Sequence, residues 1–120
     1  MIRLAELELG DPADVRVAAL TGEVDLSNAT DIADALSAAA DEATLGLVLD
    51  LTGVRHIDSA GVRLLFDLRR RLAVRRQTLA LAVPPAARIR DVLEMAAVHE
   101  TVPVLPTVDE AVAAVRSATG

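Results

Sequence analysis

The sequence contains no cysteine. Disulfides, thiol catalysis and cysteine-ligated zinc are therefore excluded. Lysine is absent too, so all 12 basic residues are arginine. A phosphate-binding loop of the NTPase kind, whose lysine reaches the phosphates, cannot be built. There is no tryptophan or tyrosine, and Phe66 is the single phenylalanine. That leaves no stacking platform for single-stranded nucleic acid. The formal net charge of −6 makes an acidic surface that repels phosphate backbones, which argues against direct nucleic-acid binding. No run approaches the roughly 18 apolar residues of a membrane span. The opening Met1-Ile2-Arg3-Leu4-Ala5-Glu6 lacks an apolar stretch of signal-peptide length. The expectation is a cytoplasmic protein with no membrane partner.

What is present is a compact supply of aliphatic residues. The 120 residues fit one domain over 1–120, and 52% hydrophobic content supports a proper core of Leu, Val, Ile and Ala. Ile2, Leu4, Leu7 and Leu9 read as an edge strand. Gly10-Asp11-Pro12-Ala13-Asp14 reads as a turn, and Val15 to Leu20 as the second arm of a hairpin. Thr21-Gly22-Glu23-Val24-Asp25 reads as a polar loop, with Ser27 as the N-cap of a helix. Ala29, Ile32, Ala33, Leu36 and Ala40 recur at helical spacing. Leu45 to Leu51 is a near-continuous apolar run, the mark of a strand covered on both faces.

A second helix, opening near Ala60, has Val62, Leu65, Phe66, Leu68 and Leu72 as its inward stripe. Arg63, Asp67 and Arg71 fall four apart, at pairing distance along it. Gln77 to Val83 is a further strand, closed by Pro84-Pro85. Ile89, Val92, Leu93 and Ala96 mark a third helix. Val102 to Leu105 is a short strand whose proline favours an edge. Thr107-Val108-Asp109-Glu110 is a capping box before a last helix. Strands alternating with helices predict an α/β fold, with a mixed, mostly parallel sheet of about five strands flanked by about four helices.

The chemistry concentrates in Ile57-Asp58-Ser59-Ala60-Gly61-Val62, a turn between the central strand and the second helix. A hydroxyl here can be phosphorylated and the product tolerated, because free backbone N–H groups and the positive end of the helix favour the added charge. Serine is equally at home there as a plain cap. Asp58 either caps the helix or orients Ser59. Gly61 permits close approach by a partner backbone or tight helix–sheet packing. Glu23 and Asp25 suit partner contact, or form an ordinary solvated acidic loop.

His56 and His99 are the only histidines and have no companion at metal-ligand spacing. No metal or cofactor is expected. Asp50 closes the central strand, as the phosphoacceptor of a receiver domain does. The acidic pair and the lysine such domains need are missing. The arginines at 69–71, 75 and 76 are accounted for by the helix C-terminal dipole, or by an acidic partner.

The chain resembles the STAS domain family, in particular the free-standing bacterial anti-sigma factor antagonists. The resemblance is carried by Leu20-Thr21-Gly22-Glu23-Val24-Asp25, Leu47-Val48-Leu49-Asp50-Leu51, Ile57-Asp58-Ser59-Ala60-Gly61-Val62 and Arg88 to Ala96, in that order. It implies a non-enzymatic protein that binds an anti-sigma factor, itself an ATP-binding serine-protein kinase, and so frees a sigma factor. It implies that Ser59 is the phosphoacceptor, with a phosphatase to restore it. The implied partner surface comprises Glu23, Asp25, Asp58, Ala60, Gly61 and Arg63. The family's common Asp-Ser-Ser-Gly is here Asp58-Ser59-Ala60-Gly61, so one hydroxyl remains. A second reading within the fold is an unphosphorylated STAS accessory subunit of a transport or stress-sensing assembly. A hydrolase would need a nucleotide loop or a Ser–His–Asp arrangement, and neither is legible.

Overall fold

The apolar run that begins at Leu45 forms the middle of a five-stranded sheet in the computed structural model, which describes residues 5–9, 14–41 and 43–119. The elements are β1 Ala5–Leu9, β2 Val15–Val24, α1 Ala29–Ala39, β3 Gly46–Ile57, α2 Ser59–Val74, β4 Thr78–Ala82, α3 Ile89–Met95, a 3₁₀ turn Val98–Glu100, β5 Val104–Leu105 and α4 Val108–Thr119. The strands lie in the order β1-β2-β3-β4-β5. β1 runs antiparallel to β2, and every other pairing is parallel. The mixed, mostly parallel α/β sheet with four helices is the architecture expected. Ile2 and Leu4 of the expected first strand, and the expected turn at 10–13, lie outside the described residues.

Strand alternation explains why β3 is apolar at successive positions. Leu47, Leu49 and Leu51 point to one face, where they pack with α1, α2 and α3. Val48 points to the other, where α4 lies. The two faces differ in grain. β4 and the residue that follows it offer Leu79, Leu81 and Val83 to the three-helix side but only Ala80 and Ala82 to α4. Small residues let the single helix sit close. Gly46 takes this furthest: a Cβ there would stand 2.1 Å from the Thr78 carbonyl oxygen and 2.8 Å from Val115 Cγ1. α4 is also tied to the start of β2 by Arg116, whose Nε and Nη2 each donate to Asp14 at 2.8 Å.

Two strands outrun their expected ends. Thr21 to Val24, expected as a loop, continues β2, because these residues pair with Gly53, Val54, His56 and Ile57 of an equally extended β3. The ladder satisfies backbone groups that a loop would leave to solvent. Asp50 therefore lies within β3 and does not close it. Its Oδ1 accepts from the Thr52 N–H at 3.0 Å and the Thr52 hydroxyl at 2.6 Å. β4 and β5 are shorter than expected, and β5 is the sheet edge that Pro103 favoured. The inward stripe of α2 includes Leu64, absent from the expected set, because this helix packs against α1 as well as the sheet.

The end of α2 is a Schellman turn. The Arg76 N–H donates to the Ala73 carbonyl and the Gln77 N–H to the Leu72 carbonyl, each at 2.9 Å. Arg76 holds φ 59, the left-handed position where glycine is usual. Among the described residues no helix is long and apolar enough to cross a membrane.

Opposite single changes should therefore move stability in opposite directions. Gly46→Ala should lower stability by about 1–3 kcal/mol through overpacking. Arg76→Gly should raise it by roughly 1 kcal/mol by relieving the left-handed strain. Urea titrations of both variants check this. The hydrogen bonds from Arg116 hold the Asp14 carboxyl below the usual aspartate range. A depressed carboxyl stabilises fully above the ordinary aspartate value and loses that contribution as the pH falls through its folded value. The wild type should thus be more stable than Asp14→Asn near neutrality, and the two should converge on acidification, as read from melting temperature against pH.

Candidate functional site

The carboxyl ends of β2 and β3 lie side by side, with Val24 opposite Ile57, and both chains turn there into helices. The Asp58 N–H donates to the Val24 carbonyl at 3.2 Å, which stitches the two turns together. Carboxyl ends of parallel strands are where open α/β sheets present their sites.

Asp58, in extended conformation, is the N-cap of α2. Its Oδ1 accepts from the N–H groups of Ala60 at 2.9 Å and Gly61 at 3.0 Å. Capping therefore falls to Asp58, and the alternative that Ser59 serves as the cap is set aside. Ser59 is the first helical residue, it is exposed, and its hydroxyl has no hydrogen-bond partner among the described residues. No hydrogen bond joins it to His56 or His99. No group of three potential metal ligands occurs among the described residues.

Of the two roles expected for Gly61, partner approach and tight helix–sheet packing, the fold shows the packing. It is buried, and a Cβ would stand 2.4 Å from Ile57 Cγ1 and 3.1 Å from Val24 Cγ1. Its smallness lets the first turn of α2 settle on the strand ends. Ala60 is half-buried and Arg63 is exposed.

The neighbouring turn is built by its own side chains. Asn28 Oδ1 accepts from the Asp25 N–H at 3.0 Å, while its Nδ2 donates to the Glu23 carbonyl at 2.9 Å. The Asp25 carboxylate accepts from the Ser27 N–H at 2.9 Å and from the Ser27 hydroxyl at 2.5 Å. Ser27 is thus a loop residue and not the cap expected. The N-cap position of α1 is Asn28, whose side chain turns back into the loop. Glu23 is half-buried at the end of β2, opposite His56. This architecture leaves Leu26 82% exposed at the tip, a large apolar side chain beside α2. Sequence reading passed over it. The available signal was one leucine isolated among Asp25, Ser27 and Asn28.

Two shallow grooves flank the start of α2. One, of about 220 Å³, runs between α1 and α2, with Leu26, Ala29, Ala60 and Leu64 along it and Arg63 and Arg70 at its side. The other, of about 380 Å³, is bordered by Ser59, Val62, Arg63, Phe66 and Arg69. From residue 59 to 76 there are six arginines and a single acidic residue, Asp67, in a chain of net charge −6.

Beyond the helix dipole, several of these arginines have specific partners. Arg71 is paired with Asp34 and Asp67, each at 3.0 Å, and both raise its pKa, the Asp34 hydrogen bond most. Arg75 donates to the Ala40 carbonyl at 2.9 Å and to Ser37. Arg69 Nε donates to the Thr101 carbonyl at 3.0 Å. Asp67, expected to serve Arg63 and Arg71 alike, goes to Arg71 and more loosely to Arg70 at 3.5 Å. Arg63 has no carboxylate partner among the described residues.

This division of labour is measurable. Asp58→Ala should lower stability by about 1 kcal/mol through loss of the cap. Ser59→Ala should stay within roughly 0.5 kcal/mol of wild type, as for an exposed residue whose hydroxyl holds nothing. Equal losses from the two would place Ser59 in the cap after all.

Residues 7–111 match the family model described as STAS domain. Among solved structures, an anti-sigma factor antagonist from Mycobacterium paratuberculosis is similar with a TM-score of 0.80 at 26% identity, over 93% of this chain and 94% of that one. The Bacillus cell fate determinant SpoIIAA in its phosphorylated form gives a TM-score of 0.66 at 23% identity, over 92% of this chain and 100% of that one. A murine solute carrier 26 family anion transporter gives 0.75 at 19% identity, over 90% of this chain but 18% of the transporter. No curated protein sequence matches this one. With the family model spanning most of its length and the sheet, helices and capped turn arranged as above, the chain belongs to the STAS domain family.

Proposed function

We propose that this chain is an anti-sigma factor antagonist, working as one unit over residues 1–120 in the cytoplasm and carrying out no catalysis of its own. It binds an anti-sigma factor that is also an ATP-dependent serine kinase, and so releases a sigma factor. Phosphorylation of Ser59 by that kinase ends the interaction, and a phosphatase restores it. The observation that carries this reading is the idle hydroxyl of Ser59. It is exposed on the first residue of α2, while Asp58 does the capping. The likeness to the mycobacterial antagonist over nearly the full length of both chains supports the same reading.

Phosphorylation adds about −1.5 to −2 charges and three acceptor oxygens. At a helix N-terminus this need not unfold anything, because the dipole favours the anion. The change is one of surface charge, placed between the turn that carries Glu23, Asp25 and Leu26 and the exposed side of Arg63. A partner docked across that surface would meet a new desolvation cost and like-charge repulsion. The apolar tip of Leu26 offers the partner area to bury, and the arginines of α2 suit acidic groups on it.

The test is capture from a lysate of the source organism with wild type, Ser59→Ala and Ser59→Asp as baits, each with ATP or ADP. Phosphopeptide mass spectrometry is run on the recovered wild type. Wild type and Ser59→Ala should retain a kinase-like anti-sigma factor, Ser59→Asp should lose it at least tenfold, and phosphate should map to Ser59. If all three baits hold the same partners and Ser59 stays unmodified, the chain is instead an accessory STAS subunit, a reading to which the likeness with part of an anion transporter lends support.

A further inference from the structure

We propose that a phosphate on Ser59 is held by Arg63, one helical turn further along α2. The inference rests on the reading that Ser59 is the modified residue, and it assigns to a second residue the reception of the new charge.

Three observations carry it. Ser59 and Arg63 are four residues apart in one helix, a spacing that puts their Cβ atoms about 5–6 Å apart. With the anion on the N-terminal member, the pair has the orientation that helices favour. Both residues border the same groove, so no wall stands between them. Finally, Arg63 has no carboxylate partner among the described residues, where its neighbours are committed: Arg69 is bonded to the Thr101 carbonyl, Arg71 to Asp34 and Asp67, and Arg70 leans on Asp67. A planar guanidinium matches a phosphate by paired N–H donors, which makes arginine the suitable receiver.

The pairing has a consequence beyond helix α2. Arg63 also borders the groove between α1 and α2, whose lining includes Ala29, Ala60 and Leu64. Drawn to the phosphate, its charge is neutralised there too. One modification thus alters both grooves, adding negative charge at one and removing positive charge from the other. Asp58 is the nearest carboxylate in sequence, and its Oδ1 is engaged by the N–H groups of Ala60 and Gly61. Asp67 lies a turn beyond Arg63 and is held by Arg71.

The experiment installs phosphoserine at position 59 of the full chain during translation, so no kinase is needed. Failure of the pairing is therefore distinguishable from absence of a kinase. The second ionisation of the phosphate is followed by phosphorus NMR against pH in wild type, Arg63→Gln, Arg63→Lys and Arg69→Gln backgrounds. Asp58, Glu23, Asp25 and Asp67 are the same in all four, so their fields cancel in the comparison. Arg63→Gln should raise this pKa by about 0.2–0.4 units, the shift that a helical ion pair at this spacing confers. Arg63→Lys should keep most of the wild-type value, and Arg69→Gln should barely move it. The Arg63→Gln shift should also shrink as salt is added. Coincident titrations of wild type and Arg63→Gln would overturn the proposal, as would an equal shift from Arg69→Gln.

Discussion

The parallel pairing of β2 with β3 is the constraint from which the site follows. It runs from Val15 and Gly46 at one end to Val24 and Ile57 at the other, with two irregularities on the way. Because the pairing reaches the last residue of each strand, both chains leave the sheet at the same height. The Asp58 N–H then closes on the Val24 carbonyl, and two loops far apart in sequence become one surface. Were the strands to end at Leu20 and Leu51, Glu23, Asp25 and Ser59 would hang on separate, longer loops.

The rest of the fold serves to hold that pair of strands rigidly. Three helices cover one face with leucine-rich packing, and α4 covers the other over alanine and glycine. The unequal grain of the faces is a direct result of strand alternation, with bulk on one side and clearance on the other. Exposed hydrogen bonds and ion pairs, such as Arg75 to the end of α1 and Arg116 to Asp14, fasten helix ends and contribute modestly. Of the two small residues in the first turn of α2, Ala60 lines the groove between α1 and α2, and Gly61 lets the helix settle on Ile57 and Val24.

At the turn itself, neighbouring polar residues divide two tasks. Asp58 gives its carboxylate to the helix, whereas the Ser59 hydroxyl has no hydrogen-bond partner among the described residues. The same division recurs along α2 and its end, where Arg69, Arg71 and Arg75 are tied to carbonyls or carboxylates and Arg63 has no carboxylate partner among the described residues. A surface that is to change its charge by covalent modification needs members of this second kind, because an idle group can be altered without loosening the fold.

Much of this was legible in the sequence. Alternating apolar runs and helical stripes determined the α/β order, the burial of the central strand and the capping of the last helix by Thr107, whose hydroxyl accepts from the Glu110 N–H at 3.1 Å. The segment Ile57 to Val62 was legible as a strand-to-helix turn, which is what it forms. What the sequence by itself could not determine were the properties that depend on partners distant along the chain. Thr21 to Val24 looks like a loop until β3 lies alongside it, because a ladder's hydrogen bonds come from the other strand. Gly61 looks available to a partner until Ile57 and Val24 close over it. Arg63 and Arg71 stand four residues either side of Asp67; helix orientation already favours Arg71, and Asp34, arriving from α1, adds a second carboxylate beside Arg71 that the sequence does not show. Local residue types decided which chemistry this chain can carry. The tertiary structure decided which groups are left free to carry it, because a polar group is free only when no neighbour in space has claimed it.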